Sequence, residues 1–265
     1  MELFYRKYGQ GPPLIILHGL YGSSDNWIPI AKKISYRYTV HLPDQRNHGL
    51  SPHSPVHDYK NLVTDLLEFS NDHIQGKFYL AGHSMGGKVA AFFAVENPGK
   101  LAGLLIADIS PFQTPKENNA EYNFHLDILN TLKALDLSGI TSRQTIEKQL
   151  LQDIPSDKIR NFLMKNLQRK EGNKFRWKLN IPALLSNIDS IMDGLPRPSG
   201  YYPGLTGFPV TFLKGEKSSY LPENDFQDII RIFPDAVIRK VKNAGHWLHS
   251  DKPNEVAEAL LSMAE

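Results

Sequence analysis

The 265-residue chain contains no cysteine. That absence excludes a cysteine nucleophile, disulfide bonds and cysteine-ligated zinc, and it favours a reducing compartment. The sequence also lacks any run of about 18 apolar residues, so we expect no membrane-spanning helix. Residues 1–7 (MELFYRK) show no basic segment followed by an apolar one, which is the pattern of a secretory signal. We therefore expect a cytoplasmic protein with no membrane partner.

The chain also has no large excess of positive or negative charge. Lysine and arginine number 30 against 28 acidic residues, which gives a formal net charge of +2. Nucleic-acid-binding domains are strongly basic, so this balance argues against a nucleic acid as partner. The apolar share of 41% is ordinary for a globular protein. A chain of this length forms either one large α/β domain or two small ones.

What the sequence does contain is an alternation of short apolar runs and helical stretches. An edge strand is predicted at 2–8, and buried strands are predicted at 13–17, 39–42, 77–81, 101–107, 210–213 and 237–241. Helices are predicted at 27–34, 59–74, 88–96, 226–233 and 253–263. This order is typical of βαβ units, so we predict an α/β fold whose mostly parallel sheet has helices on both faces.

Residues 113–205 interrupt that alternation. They contain four helix-like stretches, at 121–135, 145–151, 158–167 and 183–192, and no clear strand. Open α/β folds bind ligands at the carboxyl edge of the sheet, and an inserted helical block is suited to cover that edge. We therefore predict a core formed by residues 1–112 and 206–265, and a helical cap that acts as a lid.

The most informative motif is GHSMG at residues 82–86, because of the segments on either side of it. The predicted strand 77–81 precedes it, and a helix rich in small residues follows it. A strand, a sharp turn and a helix around G-x-S-x-G form a nucleophile elbow. The glycines leave room for a strained turn that exposes the serine oxygen. Ser84 is therefore the candidate nucleophile.

A second loop follows the predicted strand 13–17 and begins with His18 and Gly19. Acyl transfer generates an oxyanion, and hydrogen-bond donors placed at that oxygen contribute several kcal/mol. In a nucleophile-elbow site the donors are two backbone N–H groups, one in such a loop and one directly after the nucleophile. We predict an oxyanion hole formed by Leu20 and Met85.

The candidate base is His246, which lies in the segment NAGHW after the last predicted strand. A base for Ser84 must reach it from a separate loop at the same sheet edge. His83 is expected to point away from Ser84, and His249 follows His246 at helical spacing. The sequence has no H-E-x-x-H motif and no cysteine, so we predict no metal site and no cofactor.

The acid of a serine triad usually follows the penultimate strand, where this chain has Ser218. Glu216 lies close by but early in the turn, and Asp225 is expected to begin the next helix. Asp108 instead ends the strand after the nucleophile helix and faces the same sheet edge. A triad carboxylate must hold the imidazole in the correct tautomer. We favour Asp108, with Glu216 left open; the chain order is Ser, Asp, His in both cases.

Several of these segments resemble the α/β-hydrolase superfamily, namely His18-Gly19, residues 82–87 and residues 245–247. Residues 44–52 (DQRNHGLSP) more narrowly resemble the R-N-H-G-x-S segment of YbfF-type bacterial esterases and their mitochondrial relatives. Most α/β-hydrolases carry glycine where Asn47 stands. Residues 108–111 (DISP) and 174–180 (KFRWKLN) are similar to the same family. The resemblance covers essentially the whole chain.

This resemblance implies a serine esterase acting on acyl esters and, in some members, on acyl-CoA thioesters. It places the acid on Asp108, because the family's acid follows the strand after the nucleophile helix. Residues 214–220 (KGEKSSY) depart little from the family's G-x-x-S-x-Y pattern. The family more often has glycine or asparagine near Glu216, which keeps that residue open as a minor alternative. We interpret the loop 46–49 as structural support beside the site.

We therefore predict a carboxylesterase that forms an acyl-Ser84 intermediate from a small-molecule ester. Two alternatives are a C–C lyase or synthase on the same fold and a non-catalytic ligand receptor that keeps the triad. The lyases usually place an aspartate after the penultimate strand, which position 218 lacks. The candidates to line an acyl pocket are large apolar residues of the cap: Phe124, Leu129, Phe162, Trp177 and Tyr201.

Overall fold

The structure, a computed structural model, describes residues 1–116, 119–170, 174–200 and 203–264. In chain order, its strands are β1 (Tyr5–Tyr8), β2 (Pro13–Leu17), β3 (Thr39–Pro43), β4 (Phe78–His83), β5 (Leu101–Ala107), β6 (Leu167–Arg169), β7 (Phe175–Trp177), β8 (Val210–Gly215) and β9 (Ala236–Val241). Seven of them form one sheet in the order β1-β3-β2-β4-β5-β8-β9. Within this sheet, β1 pairs with β3 in antiparallel orientation, and the other five pairs are parallel. The predicted α/β-hydrolase fold is confirmed.

The helices are α1 (Ile28–Ile34), α2 (Tyr59–His73), α3 (Met85–Glu96), α4 (Ala120–Ala134), α5 (Arg143–Asp153), α6 (Asp157–Met164), α7 (Ile181–Ser186), α8 (Ile188–Met192), α9 (Phe226–Ile232), α10 (Leu248–Asp251) and α11 (Pro253–Leu261). Strand β2 shows why they cover both faces of the sheet. Leu14 and Ile16 belong to the apolar cluster with α1 and α11, whereas Ile15 and Leu17 belong to the cluster with α2 and α3. Successive side chains of a strand point to opposite faces, so an uninterrupted apolar strand needs helices on both.

The carboxyl ends of the central strands are level with one another. Leu17 of β2 lies beside Gly82 of β4, and His83 lies beside Ala107 of β5. Ala107 in turn lies beside Leu213 of β8. The loops that leave these four strands therefore start at one edge of the sheet. That edge is where open α/β sheets bind ligands.

The segment between β5 and β8 differs in part from the prediction. Residues 167–169 and 175–177 form a short antiparallel hairpin, β6 with β7, so the expectation of no strand there was wrong. The helix predicted at 158–167 ends at Met164, and Asn166 then donates its side-chain amide to the carbonyl of Tyr21 at 2.7 Å. That bond directs the chain out of the helix and into the hairpin.

Two further helices differ from their predicted bounds. The stretch predicted as a helix at 183–192 is two helices, α7 and α8, divided at Asn187. The Asn187 side chain donates to the carbonyl of Ala183 at 2.8 Å and so competes with the helical backbone bonds. Helix α3 begins at Met85 rather than at residue 88, because the turn at Ser84 leads directly into it.

The chain leaves the sheet and returns to it at adjacent positions. Phe112 and Leu195 form an isolated parallel bridge, and we call the paired segments 111–114 and 191–195 the neck. Lys88 of α3 is buried against the neck. Its ammonium donates to two backbone carbonyls of the second segment at 2.6 and 3.2 Å and to a hydroxyl of the first at 3.4 Å. The neck is therefore fixed to the helix that follows Ser84.

No helix in the described part of the chain is long and apolar enough to cross a membrane. The apolar cluster on the α2 and α3 face continues without a break into the segment between β5 and β8. Leu129, Leu150, Leu163 and Leu184 of that segment all belong to it. The division of the chain into a core and a cap at the predicted boundaries stays a prediction.

Candidate active site

Ser84 occupies a sharp turn between β4 and α3. Its φ of 53° and ψ of −125° are unfavourable for a residue with a Cβ atom. There is no room for a side chain at either flanking glycine. A Cβ on Gly82 would lie 2.1 Å from the carbonyl oxygen of Gly86. A Cβ on Gly86 would lie 2.5 Å from the carbonyl oxygen of His18. The G-x-S-x-G motif therefore folds as the expected elbow.

Asp108 and His246 are directly bonded. Asp108 follows β5, is fully buried and has a φ of 51°. Its Oδ2 atom lies 2.9 Å from Nδ1 of His246. The backbone N–H of Gly215 donates to Oδ1 at 2.7 Å, and the Ser218 hydroxyl donates to Oδ2. Two donors, the Gly215 N–H and the Ser218 hydroxyl, thus hold the carboxylate in the orientation that receives the imidazole.

The other two carboxylates considered from the sequence have different partners. Glu216 is exposed, and its carboxylate accepts a hydrogen bond from the backbone N–H of Asn243 at 2.7 Å. Asp225 accepts from Arg197 at 2.7 Å and precedes α9, as expected. Among the described residues, Asp108 is the one carboxylate bonded to His246. The geometry therefore favours Asp108 over Glu216 as the acid.

Two aromatic rings contact the His246 imidazole. The ring of Tyr220 stacks on it with 3.7 Å between centroids and 17° between planes. The ring of His83 lies 4.7 Å away, and its Nε2 atom lies 2.8 Å from the carbonyl oxygen of His246. His83 is thus engaged with the backbone of the base. No hydrogen bond joins Ser84 to His246 among the described residues, and such bonds often form only with substrate.

The loop after β2 packs directly against Ser84. A Cβ on Gly19 would lie 3.0 Å from the Cβ of Ser84, so a side chain at this position would crowd the elbow. Leu20 follows in that loop. Met85 is the first residue of α3, where backbone N–H groups have no acceptor within the helix. Both residues proposed for the oxyanion hole therefore border the nucleophile.

The loop at residues 44–52 fixes the conformation of that neighbouring loop. The Gln45 amide donates to the carbonyl of His18 at 2.6 Å, and the Gln45 N–H donates to Nε2 of His18 at 2.9 Å. The backbone N–H of Tyr21 donates to Nε2 of His48 at 3.2 Å. Tyr21 itself has a φ of 61°. These contacts agree with the supporting role expected for the loop, and His48 does not line the cavity at Ser84.

Residues 44–52 are also held by contacts with α2 and with Asn180. Arg46 forms a buried two-pronged ion pair with Asp65 of α2, at 2.6 and 2.8 Å. Asn47 has a φ of 65°, a conformation that favours glycine and that asparagine tolerates. Its side-chain oxygen accepts from the amide of Asn180 at 3.0 Å. This explains how asparagine replaces the more common glycine at position 47.

A cavity of about 240 Å³ opens above Ser84 and His246. Its lining includes the following residues from the segment between β5 and β8: Phe124, His125, Ile128, Ile159, Phe162 and Leu163. Of the predicted pocket residues, Phe124 and Phe162 line it. Leu129 is instead fully buried in the apolar cluster, and Trp177 does not line the cavity. Tyr201 lies outside the described residues.

Burial keeps most histidines of the site neutral. It lowers the pKa of His57, His125 and His249 to about 3 in each case, and lowers that of His48 well below its ordinary value. The rings of His48 and His57 lie 5.6 Å apart between centroids. Although these two neutral rings lie close together, no group of three or more side chains that could hold a metal ion occurs within the described ranges.

Sequence reasoning missed three contributions to the site. Ser218 was predicted to stand at the usual acid position and within a family pattern, but without a role, yet its hydroxyl bonds to the acid. Tyr220 stacks on His246, and His125 is a buried polar residue in the cavity wall. The G-x-x-S-x-Y pattern includes Tyr220 but does not indicate its stacking on His246. Nothing in the local sequence signals the role of His125, because it depends on how α4 packs in the folded chain.

Comparisons with known proteins show which family the chain belongs to. The family model described as "alpha/beta hydrolase fold" matches residues 12–137. The chain is 36% identical to "sn-1-specific diacylglycerol lipase ABHD11" of Danio rerio, over 97% of this chain and 80% of that protein. It is 29% identical to "Esterase YbfF" of Escherichia coli, over 94% and 91%. A solved structure, "Marine microorganism esterase", is 42% identical and superposes with a TM-score of 0.93 over 99% of both chains.

Proposed function

The chain belongs to the α/β-hydrolase family, among its esterase- and lipase-type hydrolases, and from this premise we propose that it is a serine carboxylesterase with Ser84, Asp108 and His246 as its triad. Leu20 and Met85 supply the oxyanion hole. The observation that carries the proposal is the 2.9 Å contact between Asp108 and His246 at the cavity that contains Ser84.

The mechanism follows from these positions. The His246 imidazole takes the Ser84 proton as the serine oxygen attacks the ester carbonyl. The carbonyl oxygen becomes an oxyanion, which the N–H groups of Leu20 and Met85 stabilise. The C–O bond to the alcohol then breaks, and His246 gives its proton to the departing oxygen. This step leaves an acyl-Ser84 ester.

Deacylation repeats the sequence with water. His246 removes a proton from a water molecule, whose oxygen attacks the acyl carbon. The bond to the Ser84 oxygen breaks, the serine recovers its proton from His246, and the carboxylic acid leaves. Throughout both halves, Asp108 holds Nδ1 of the imidazole and stabilises its charged form.

The cavity sets the scale of the substrate. Its volume of about 240 Å³ lies below the roughly 300–1,000 Å³ of typical small-molecule pockets, which favours a small substrate. Its walls include Leu20, Ile128 and Phe162, which favour an apolar acyl chain. We therefore propose esters of short to medium acyl chains as substrates, with residues 113–205 as the lid. Acyl-CoA thioesters of the same chain length undergo the same chemistry and form the second arm of the test.

The test combines covalent labelling with turnover. A fluorophosphonate is expected to label the wild-type protein at Ser84, and p-nitrophenyl butanoate is expected to be hydrolysed. Ser84→Ala should abolish labelling and lower turnover on the order of a millionfold, as removal of a triad nucleophile does. Retention of a tenth of the wild-type rate would exclude the acyl-Ser84 mechanism. Labelling without turnover of any ester or thioester would instead indicate a receptor.

A further inference from the structure

The Tyr220 ring lies face to face with the His246 imidazole. The two ring centroids are 3.7 Å apart, and the ring planes are inclined by only 17°. Since carbon atoms in contact lie about 3.5–4.0 Å apart, this separation leaves little sideways offset between the rings. Two neutral aromatic rings favour an offset or edge-to-face arrangement, because a full face-to-face stack brings two negative faces together. The observed stack is therefore not the arrangement that two neutral rings favour.

Backbone hydrogen bonds hold Tyr220 in this position. Its carbonyl accepts from the N–H of Ser110 at 2.7 Å, and its N–H donates to the Ser218 hydroxyl at 3.3 Å. The Ser218 hydroxyl also bonds to Asp108, which lies two residues before Ser110. The loop that carries Tyr220 is thus fixed to the segment that carries the acid. The stack does not depend on attraction between the two rings alone.

The contact becomes more favourable when the imidazole gains a proton. A cation within about 6 Å of the centroid of an aromatic ring, and over its face, is attracted by the negative charge of that face. The His246 side chain is 16% exposed, so water screens the contact only in part. Burial raises the pKa of the Tyr220 hydroxyl, and the charges of Glu121 and Asp108 add to the effect, so the phenol stays neutral. The stacked ring therefore favours the protonated imidazole over the neutral one.

The other titratable groups around His246 are one carboxylate and three histidines. Asp108 is the anionic partner, 2.9 Å from Nδ1. The His83 ring lies 4.7 Å away, and the charge of His246 also acts on His125 and His249. Burial lowers the pKa of His125 and His249 to about 3 and that of His83 well below its ordinary value, so all three rings are neutral. The carboxylate and the stacked tyrosine ring are the neighbours that favour a charged imidazole.

The proposed mechanism makes His246 positive twice, once when it takes the Ser84 proton and once when it takes a proton from water. A contact that is stronger in the transition state than in the ground state accelerates the reaction. We infer that Tyr220 is a positioning residue of the triad, whose ring face stabilises the protonated form of His246. This inference rests on the proposed function and adds one side chain to its base and acid.

The test compares Tyr220→Leu, which removes the ring face, with Tyr220→Phe, which keeps it. The readout is the pH profile of kcat/KM for p-nitrophenyl butanoate, whose rising limb reports loss of a proton from the base. Tyr220→Leu should move the midpoint of that limb to lower pH by about 0.5–1 pH unit and lower the plateau by about fivefold to tenfold, the scale of a partly buried cation–π contact. Tyr220→Phe should restore the wild-type midpoint.

The matched control is Phe162→Leu. It removes an aromatic ring from the same cavity, but one that contacts Trp247 rather than His246. Its rate is free to change, whereas its midpoint should not. Circular dichroism checks the fold of each variant, and the downfield proton NMR signal of the His246 Nδ1–H checks that the bond to Asp108 is retained.

Three results would overturn the inference. The first is a wild-type midpoint in folded Tyr220→Leu, and the second is a shift in Tyr220→Phe as large as in Tyr220→Leu. The third is loss of the Nδ1–H signal in Tyr220→Leu, because the ring would then only support the bond to Asp108. If the wild type hydrolyses no ester and Ser84 does not react with a fluorophosphonate, the proposed function fails, and the role of Tyr220 with it. Normal turnover with an unshifted midpoint overturns the role of Tyr220 alone.

Discussion

The two walls of the active-site cavity are built in different ways. The wall formed by the loops of the sheet is bonded throughout: Asp108 has three partners, and the loop after β2 is tied to Gln45 and His48. The wall formed by α4 and α6 consists mainly of apolar side chains such as Phe124 and Phe162. His125 is a buried polar residue of this wall, and its Nδ1 atom has no hydrogen-bond partner among the described residues.

The difference indicates that the two walls have different functions. Reacting groups must be held in one geometry, and the hydrogen bonds of the sheet loops achieve that. Substrate selection depends on the shape of a cavity and on a few polar groups within it. Changes on the sheet wall should therefore affect the rate for every substrate, whereas changes on the helical wall should affect one substrate relative to another.

The largest effect is expected at the acid of the sheet wall. Asp108→Asn should lower turnover of every ester by roughly ten-thousandfold, because the amide cannot hold the required imidazole tautomer. Glu216→Gln should change turnover only a few-fold, since its carboxylate bonds to the backbone of Asn243 on the surface. Steady-state kinetics on both variants decide the assignment. A crippled Glu216 variant beside a nearly normal Asp108 variant would reverse it.

A smaller and selective effect is expected on the helical wall. Phe124→Ala enlarges the cavity, so it should raise the ratio of octanoate to butanoate hydrolysis by about tenfold. The measurement is kcat/KM for the two p-nitrophenyl esters. Leu151→Ala, a substitution of a half-exposed residue on α5, is the matched control. An equal loss for both esters would show that this wall also positions the reacting groups.

The smallest effect is on the free energy of unfolding. It tests whether burial keeps His41 of the sheet neutral, as burial does for His125 of the helical wall. Burial lowers the pKa of His41 on β3 from 6.5 to about 4, with Lys7 and His73 adding to the effect. Between these pH values the unfolded chain binds a proton that the folded chain does not, so stability falls as pH falls from 6.5 towards 4.

His41→Gln should make the free energy of unfolding less dependent on pH across that window, by up to about 1.4 kcal/mol per pH unit. Urea unfolding at several pH values measures it. An unchanged slope would mean that folding does not lower the pKa of His41.

The sequence predicted the sheet wall much better than the helical wall. The turn at Ser84 is a local event, so a five-residue motif is sufficient to predict it. His246 and Asp108 follow strands whose apolar runs are clear in the sequence. By contrast, β6 and β7 have three residues each, too few to show a period, and they were predicted as no strand at all.

The roles of His125 and Ser218 were also beyond the sequence. His125 lies within a helical pattern, and its position in the cavity wall depends on how α4 packs over the sheet. Ser218 was noted as an acid position without an acid, but its bond to Asp108 joins two loops 110 residues apart in the chain. Local patterns contain no information on such pairings.

The neck has a consequence for how proteins of this architecture diversify. Because Phe112 and Leu195 are paired, the whole segment between them occupies the place of a single loop between two neighbouring strands. Its length can change, or another segment can be grafted there, without shifting the strands that present Ser84 and Asp108. New substrate preferences can thus evolve by exchange of one insert, while the hydrolytic chemistry is inherited unchanged.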